Sequence, residues 1–139
     1  MALQARVVTL LPSATEIVGF IGGSHLLVAR SHECDYPPDI RPLPAVTGAT
    51  NAFESSIQMH NAVTTAMETG AGLYTIDRAA ITALAPTMII TQSLCSVCSI
   101  DMNVVRSFVK TMPIGTRPDV ISLNPFTIQV ILGVTLGTW

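Results

Sequence analysis

The chain has 139 residues, of which 49% are hydrophobic and 12% charged, and its formal net charge is −2. This composition excludes intrinsic disorder, which needs low hydrophobicity and high net charge, and it provides no basic excess that would attract nucleic acid. No apolar stretch reaches the roughly 18–20 residues of a membrane-spanning helix, so we expect no membrane span.

The start of the chain and its cysteines bear on the compartment. Residues 1–6 lack the basic and apolar regions of a secretory signal. The chain has 3 cysteines, an odd number, and Cys95 and Cys98 are too close in sequence to act as an ordinary structural disulfide across a fold. We therefore expect a reducing, cytoplasmic location, with an organelle as the alternative.

The first predicted unit is a strand, a tight turn and a helix. Residues 6–11 are short, β-branched and apolar, which predicts a buried strand. Ser13 and Glu16 then have the spacing of a capping box. Apolar side chains follow at the spacing of one helical face, at Ala14, Ile17, Val18 and Ile21. We predict a helix that Ser13 caps and that Gly22 and Gly23 end.

The rest of the chain alternates strand patterns with helical ones. In chain order we predict a strand at 26–29, a brief strand at 44–48, a helix at 55–69, an extended connector at 73–76, a helix at 77–84, a strand at 87–91, a helix at 101–110 and a strand at 120–123. Asp77 and Asp101 are the predicted N-caps of the two later helices. The core face of the last helix is predicted at Val104, Val105 and Phe108.

Strands separated by helices predict βαβ units. The expected fold class is therefore α/β, with an open parallel sheet that helices cover on both faces.

Polar residues follow the predicted strands at the points where the strands end. They lie at Ser13, at 31–36, at 92–98 and at Asn124. Ligands of open parallel sheets bind outside the carboxyl ends of the strands, so one edge of the sheet carries the chemistry. The candidate ligand-binding residues on this edge are Ser13, His32, Glu33, Cys34, Asp35, Tyr36, Gln92, Ser93, Leu94 and Cys95.

Several of these residues also have an ordinary structural interpretation. Ser13 at a helix start both caps the helix and sits beside N–H groups that can meet a ligand. Tyr36 is either a packed turn residue or an aromatic wall against a planar macrocycle. Asp35 by default only ends the turn, and Gln92 serves either a ligand or the loop.

His32, Cys34, Cys95 and Cys98 form a possible set of metal ligands. Nitrogen and sulfur donors of this kind suit a tetrahedral zinc site, and they equally suit a soft axial ligand to a bound metallocofactor. The alternatives are that the cysteines are small buried packing residues, which is the commoner role of free cysteine, or that they exchange redox equivalents.

Motifs typical of enzymes are missing from the sequence. It contains no phosphate-binding G-x-x-x-x-G-K-[ST] or G-x-G-x-x-G loop and no nucleophile elbow. The Glu33 and Cys95 contexts also depart from the zinc-deaminase signature. We therefore expect a binding module and no catalytic residues.

Four segments carry a resemblance to a known family. Residues 6–22 (RVVTLLPSATEIVGFIG), 30–38 (RSHECDYPP), 91–98 (TQSLCSVC) and 118–127 (PDVISLNPFT) resemble the N-terminal lobe of BtuF-like cobalamin-binding proteins, the substrate-binding proteins of ABC transporters. The resemblance implies one lobe of a class III periplasmic-binding-protein-like fold, with a corrinoid or another metal chelate as its small-molecule ligand.

The resemblance also implies how the chain is divided. Residues 1–126 correspond to the lobe, and residues 127–139 correspond to the truncated start of the helix that joins two lobes. A single lobe is expected to self-associate or to pair with a second lobe. The alternatives are a small zinc- or redox-active domain built on the cysteines, and a non-functional or interaction-only truncated product.

Overall fold

The computed structural model describes residues 4–50, 54–69, 72–92 and 100–124. Its strands and helices are β1 (Val7–Thr9), α1 (Pro12–Phe20), β2 (Leu27–Ala29), β3 (Thr47–Ala49), α2 (Ser56–Thr69), β4 (Tyr74–Ile76), α3 (Arg78–Leu84), β5 (Met88–Thr91), α4 (Met102–Thr111) and β6 (Asp119–Ser122). The predicted start of an interlobe helix at 127–139 lies outside the described residues.

The main sheet has four strands in the order β2-β1-β5-β6, and each neighbouring pair is parallel. Val7 of the central strand β1 lies opposite Leu27 on one side and Met88 on the other. The prediction of an open parallel α/β sheet is therefore confirmed. A second, two-stranded sheet joins β3 and β4 in antiparallel register; the sequence predicted a brief strand and an extended connector here, but not their pairing.

Helices cover both faces of the main sheet because its inner strands are apolar on both faces. Val7 and Ile90 belong to a cluster with Ala14 and Val18 of α1. Their chain neighbours Val8 and Ile89 face the opposite way, as the alternation of a strand requires. They pack in a second cluster with Ile81 of α3 and Val105, Phe108 and Val109 of α4.

The start of α1 differs from the prediction. Leu11, in extended conformation, is the N-cap and makes no side-chain cap hydrogen bond, and Pro12 is the first helical residue. Proline suits this position because its φ is preset and it has no N–H to satisfy. The predicted cap, Ser13, is therefore inside the first turn, and its role as N-cap was wrong.

The helix α1 ends at the predicted glycines, but its apolar face differs from the predicted one. Gly22 has φ +81°, and Gly23 N–H donates to Val18 O at 2.8 Å. Left-handed backbone of this kind ends a helix readily at glycine. Because the helix stops at Phe20, Ile21 is 64% exposed, and its predicted place on the core face was wrong.

The later caps are confirmed. Asp77 accepts a hydrogen bond from Ala80 N–H at 2.9 Å, and Asp101 accepts one from Asn103 N–H at 2.6 Å. Val104, predicted in the core, is 45% exposed, because the buried stripe of α4 runs through Val105, Phe108 and Val109 and Val104 lies beside it. In the described part of the chain, no helix is long and apolar enough to cross a membrane.

Candidate functional site

A cleft of about 150 Å³ opens at the carboxyl edge of the main sheet. Its apolar lining residues are Leu10, Leu11, Pro12 and Ile100. Its other lining residues are Ser13, Ser31, Glu33, Thr47, Tyr74 and Gln92. Small-molecule sites usually enclose about 300–1,000 Å³. This cleft is smaller than that and corresponds to a part of such a site.

Chain topology brings these residues together. Ser13 follows β1, Ser31 follows β2 and Gln92 follows β5, and all three strands point the same way. Thr47 comes from the antiparallel pair of β3 and β4, which is joined to β2 through the bridge between Arg30 and Ala45. The cleft therefore depends on both sheets.

A small hydrogen-bond network fixes His32 beside the cleft. His32 N–H donates to Thr47 Oγ1 at 3.0 Å, and the Thr47 hydroxyl donates to Ser31 Oγ at 3.1 Å. Because the single Thr47 proton is used there, the 2.6 Å contact between Thr47 Oγ1 and His32 Nδ1 places the ring proton on Nδ1. In the neutral ring, Nε2 is then left with a free lone pair.

Glu33 and Tyr74 are joined across the cleft wall. The Tyr74 hydroxyl donates to Glu33 Oε1 at 3.0 Å. Partial burial raises the pKa of Tyr74, and the hydrogen bond to the Glu33 carboxylate and its charge raise it further. The His32 ring lies against Tyr74, with centroids 5.5 Å apart. The charged carboxylate is thus held in place by a neutral phenol.

Arg30 organises the loop that supplies Ser31 and Glu33. Its Nη1 donates to Ser31 O and Cys34 O, both at 3.0 Å, and its Nη2 donates to Arg41 O at 3.2 Å. Arg41 Nε in turn donates to Asp35 O at 2.9 Å. Two guanidinium groups therefore hold the backbone of the loop from residue 31 to residue 41, because each presents several donors in a fixed plane.

Cys34 belongs to this loop, and its side chain is buried among apolar residues. It is 2% exposed, and its Sγ contacts Thr15 Oγ1 at 3.0 Å. Thr15 Oγ1 also contacts Thr9 Oγ1 at 2.7 Å. Burial raises the pKa of the Cys34 thiol, and this outweighs the hydrogen bonds to Thr15 and Ser31 that lower it. The thiol is kept neutral, as is usual for a packed cysteine.

The candidate residues divide into three groups. Ser13, Glu33 and Gln92 line the cleft. His32 is half-buried beside it, Cys34 is buried, Asp35 is exposed, and Tyr36 is 61% exposed and absent from the lining. Ser93, Leu94, Cys95 and Cys98 lie outside the described residues.

The predicted metal ligands lie partly outside the described residues. Within residues 4–50, 54–69, 72–92 and 100–124, no group of three or more His, Cys, Asp or Glu side chains could hold a metal ion. Two of the four proposed donors, Cys95 and Cys98, are not among these residues, so the four-donor site stays a prediction.

Thr47 and Tyr74 line the cleft but are not among the predicted site residues. Both come from short strands whose pairing is antiparallel, and nothing in their immediate sequence points to the parallel sheet edge. In the sequence, these two residues differ from their neighbours only as a polar and an aromatic side chain within weakly predicted extended segments.

Comparison with solved structures finds this fold in periplasmic binding proteins. The chain is similar to the heme-binding protein HutB of Vibrio cholerae, at a TM-score of 0.58 and 16% identity over 98% of this chain. It is similar to the vitamin B12-binding protein BtuF of Vibrio cholerae, at 0.57 and 20% over 95%. It is also similar to the heme-binding protein RhuT of Roseiflexus sp. RS-1 in its apo form, at 0.56 and 17% over 97%.

These similarities establish the fold. The chain spans 42%, 46% and 42% of the three proteins, and its architecture is that of the N-terminal lobe of a class III periplasmic-binding-protein-like fold. No protein-family profile matches the sequence, and no curated protein matches it. Both heme-binding and vitamin B12-binding proteins share this architecture.

The loop should lose order when Arg30 is replaced by lysine. An ammonium group is a single point donor and cannot reach the three carbonyls that the guanidinium spans. In Arg30→Lys we expect the Cys34 N–H, which donates to Ser31 O at 3.1 Å, to exchange with deuterium about tenfold faster or more. Arg106→Lys, on the exposed face of α4, is the matched control. Equal protection of Cys34 in both variants would show that Arg30 does not hold the loop.

Alkaline pH should destabilise the protein through Cys34. The folded thiol has a raised pKa, so its stabilising effect is complete below the pKa of an unfolded thiol, about 8.5, and is lost as the pH rises. We expect the free energy of unfolding of the wild type to fall between pH 7.5 and pH 9.5, by at most about 1.4 kcal/mol per pH unit. Cys34→Ser should fall less steeply, because serine does not ionise. Parallel pH profiles of the two proteins in urea denaturation would contradict this assignment.

Proposed function

We propose that this chain is one lobe of a binding module for a metal tetrapyrrole, either a corrinoid or a heme, of the kind that delivers ligand to an ABC transporter. The observation that carries the proposal is the cleft at the carboxyl edge of the sheet, with Ser13, Glu33 and Gln92 on its wall. This is the edge at which open parallel sheets bind ligands, and the similar solved structures are named as heme- and B12-binding proteins.

A second lobe completes the proposed site. The cleft volume, about 150 Å³, covers only part of a tetrapyrrole, so the opposite face of the ring needs another surface. If a complete site binds with a nanomolar Kd, about −12 kcal/mol, an even division leaves about −6 kcal/mol for one lobe, which corresponds to tens of micromolar. Because the entropic cost of association is not divided, the single lobe should bind more weakly still.

His32 is the proposed axial ligand within this lobe. Metal-ligating histidines usually donate their second ring N–H to a fixed acceptor, and Thr47 Oγ1 accepts from Nδ1 at 2.6 Å here. Nε2 is thereby left as the free donor atom toward a metal. The Tyr74 ring, which lines the cleft, keeps the imidazole next to the cavity.

Titration with metal tetrapyrroles tests the binding function. We expect cyanocobalamin, hydroxocobalamin or hemin, added in the high micromolar range, to raise the melting temperature of the chain and to change its visible spectrum on binding. A ligand that binds only the folded state stabilises it in proportion to ln(1 + [L]/Kd). If none of the three alters either the spectrum or the melting temperature, the chain does not bind this class of ligand.

The axial role of His32 has its own test. Hydroxocobalamin carries an exchangeable upper ligand and cyanocobalamin a firmly held cyanide, so imidazole coordination should shift the hydroxocobalamin spectrum more. We expect His32→Ala to lose that shift and to weaken binding about tenfold or more. His60→Ala, on the exposed side of α2, should behave like the wild type. A shift that persists in His32→Ala would assign the axial ligand elsewhere.

A further inference from the structure

Glu33 is the one charged side chain among the described residues that line the cleft. The segments outside the description add no charge, because residues 1–3, 51–53, 70–71, 93–99 and 125–139 contain no Lys, Arg, His, Asp or Glu. Every charged side chain of the chain therefore belongs to a described residue. The Glu33 carboxylate is therefore the one charged side chain that lines this cleft.

No lysine or arginine side chain of the described residues lines the cleft. The terminal guanidinium nitrogens of Arg30 donate to carbonyls of the loop, and Arg30 Nε is buried without a hydrogen-bond partner among the described residues. Arg41 donates through Nε to Asp35 O. The other five, Arg6, Arg78, Arg106, Lys110 and Arg117, do not line the cleft, and Arg6 is bonded to Leu84 O, 78 residues away in sequence.

Hydrogen bonding leaves the carboxylate free to accept more bonds. The Tyr74 hydroxyl occupies Glu33 Oε1 at 3.0 Å, and a carboxylate has about four acceptor positions on its two oxygens. Gln92 also lines the cleft. A carboxylate in the lining can accept hydrogen bonds from N–H groups at the edge of a ligand. It also repels any carboxylate that the ligand carries there.

We propose that Glu33 is a specificity-determining residue that makes this lobe prefer amide-bearing ligands over carboxylate-bearing ones. The inference rests on the proposed function and adds the chemical class to it. A corrinoid periphery of carboxamides donates hydrogen bonds to Glu33, whereas the ionised propionates of heme meet a like charge in a cleft that no described lysine or arginine side chain lines. Juxtaposed like charges act mainly on discrimination between ligands.

Cyanocobalamin and its monocarboxylic acids, in which a single propionamide is replaced by a propionate, are a matched set of probes. They have nearly the same shape and differ by one charge. With the full chain in equilibrium dialysis, we expect the acid whose altered group faces Glu33 to bind about tenfold more weakly than cyanocobalamin. Glu33→Gln should remove this difference. Glu68→Gln, a change of equal charge on the exposed side of α2, should keep it.

Ionic strength gives a second readout that does not depend on folding of a variant. Salt screens exposed charges. In the wild type, the ratio of the dissociation constant of the acid to that of cyanocobalamin should therefore fall toward one as the salt concentration is raised. Equal binding of the amide and all of the acids by the wild type, or tighter binding of hemin than of cyanocobalamin, would overturn the role of Glu33 and leave the proposed function standing. No binding of any tetrapyrrole would overturn both.

Discussion

Parallel alignment of the four strands is the constraint on which the site depends. Val7 of β1 is in register with Leu27 of β2 and Met88 of β5, and β5 is in register with β6. The residues that follow the carboxyl ends are therefore delivered to one edge, although Ser13 and Gln92 are 79 positions apart in the chain. Reversing any inner strand would move its polar residue to the opposite edge, where Arg6 is bonded to Leu84 O.

The buried polar groups concentrate at that same edge. Of the residues that the structure describes, the buried polar ones are Thr9, Thr15, Ser31 and Thr91. Each is hydrogen-bonded; Thr91 Oγ1, for example, donates to Ile100 O at 2.7 Å. Burying a polar group is costly unless it is paired, and a fully paired network fixes local geometry. The apolar core therefore provides stability, whereas these bonds fix the backbone at the edge of the sheet where the cleft lies.

The buried strands and the starts of the two later helices could be predicted from short stretches of sequence. The runs at Val7 and Ile89 are apolar on consecutive residues because both faces of those strands are covered, and Asp77 and Asp101 mark helix starts through their own hydrogen bonds. The antiparallel pairing of β3 with β4 could not be read in this way, since Gly48 and Thr75 meet across the intervening helix α2. Ser13 was misassigned as a cap because Pro12 competes for the helix start and is favoured by its fixed backbone angle.

The weak binding that we propose for this lobe and the discrimination that we propose for Glu33 are compatible. Affinity grows with the surface that a ligand buries and with the entropy that the second lobe saves, whereas discrimination depends only on the difference between two ligands at one point. Glu33 is held by Tyr74 in the lining of the cleft, so in the proposed site its charge would act on a ligand with or without a second lobe. If a second surface closes the proposed site and excludes water, electrostatic interactions inside it become stronger, so the proposed preference should increase.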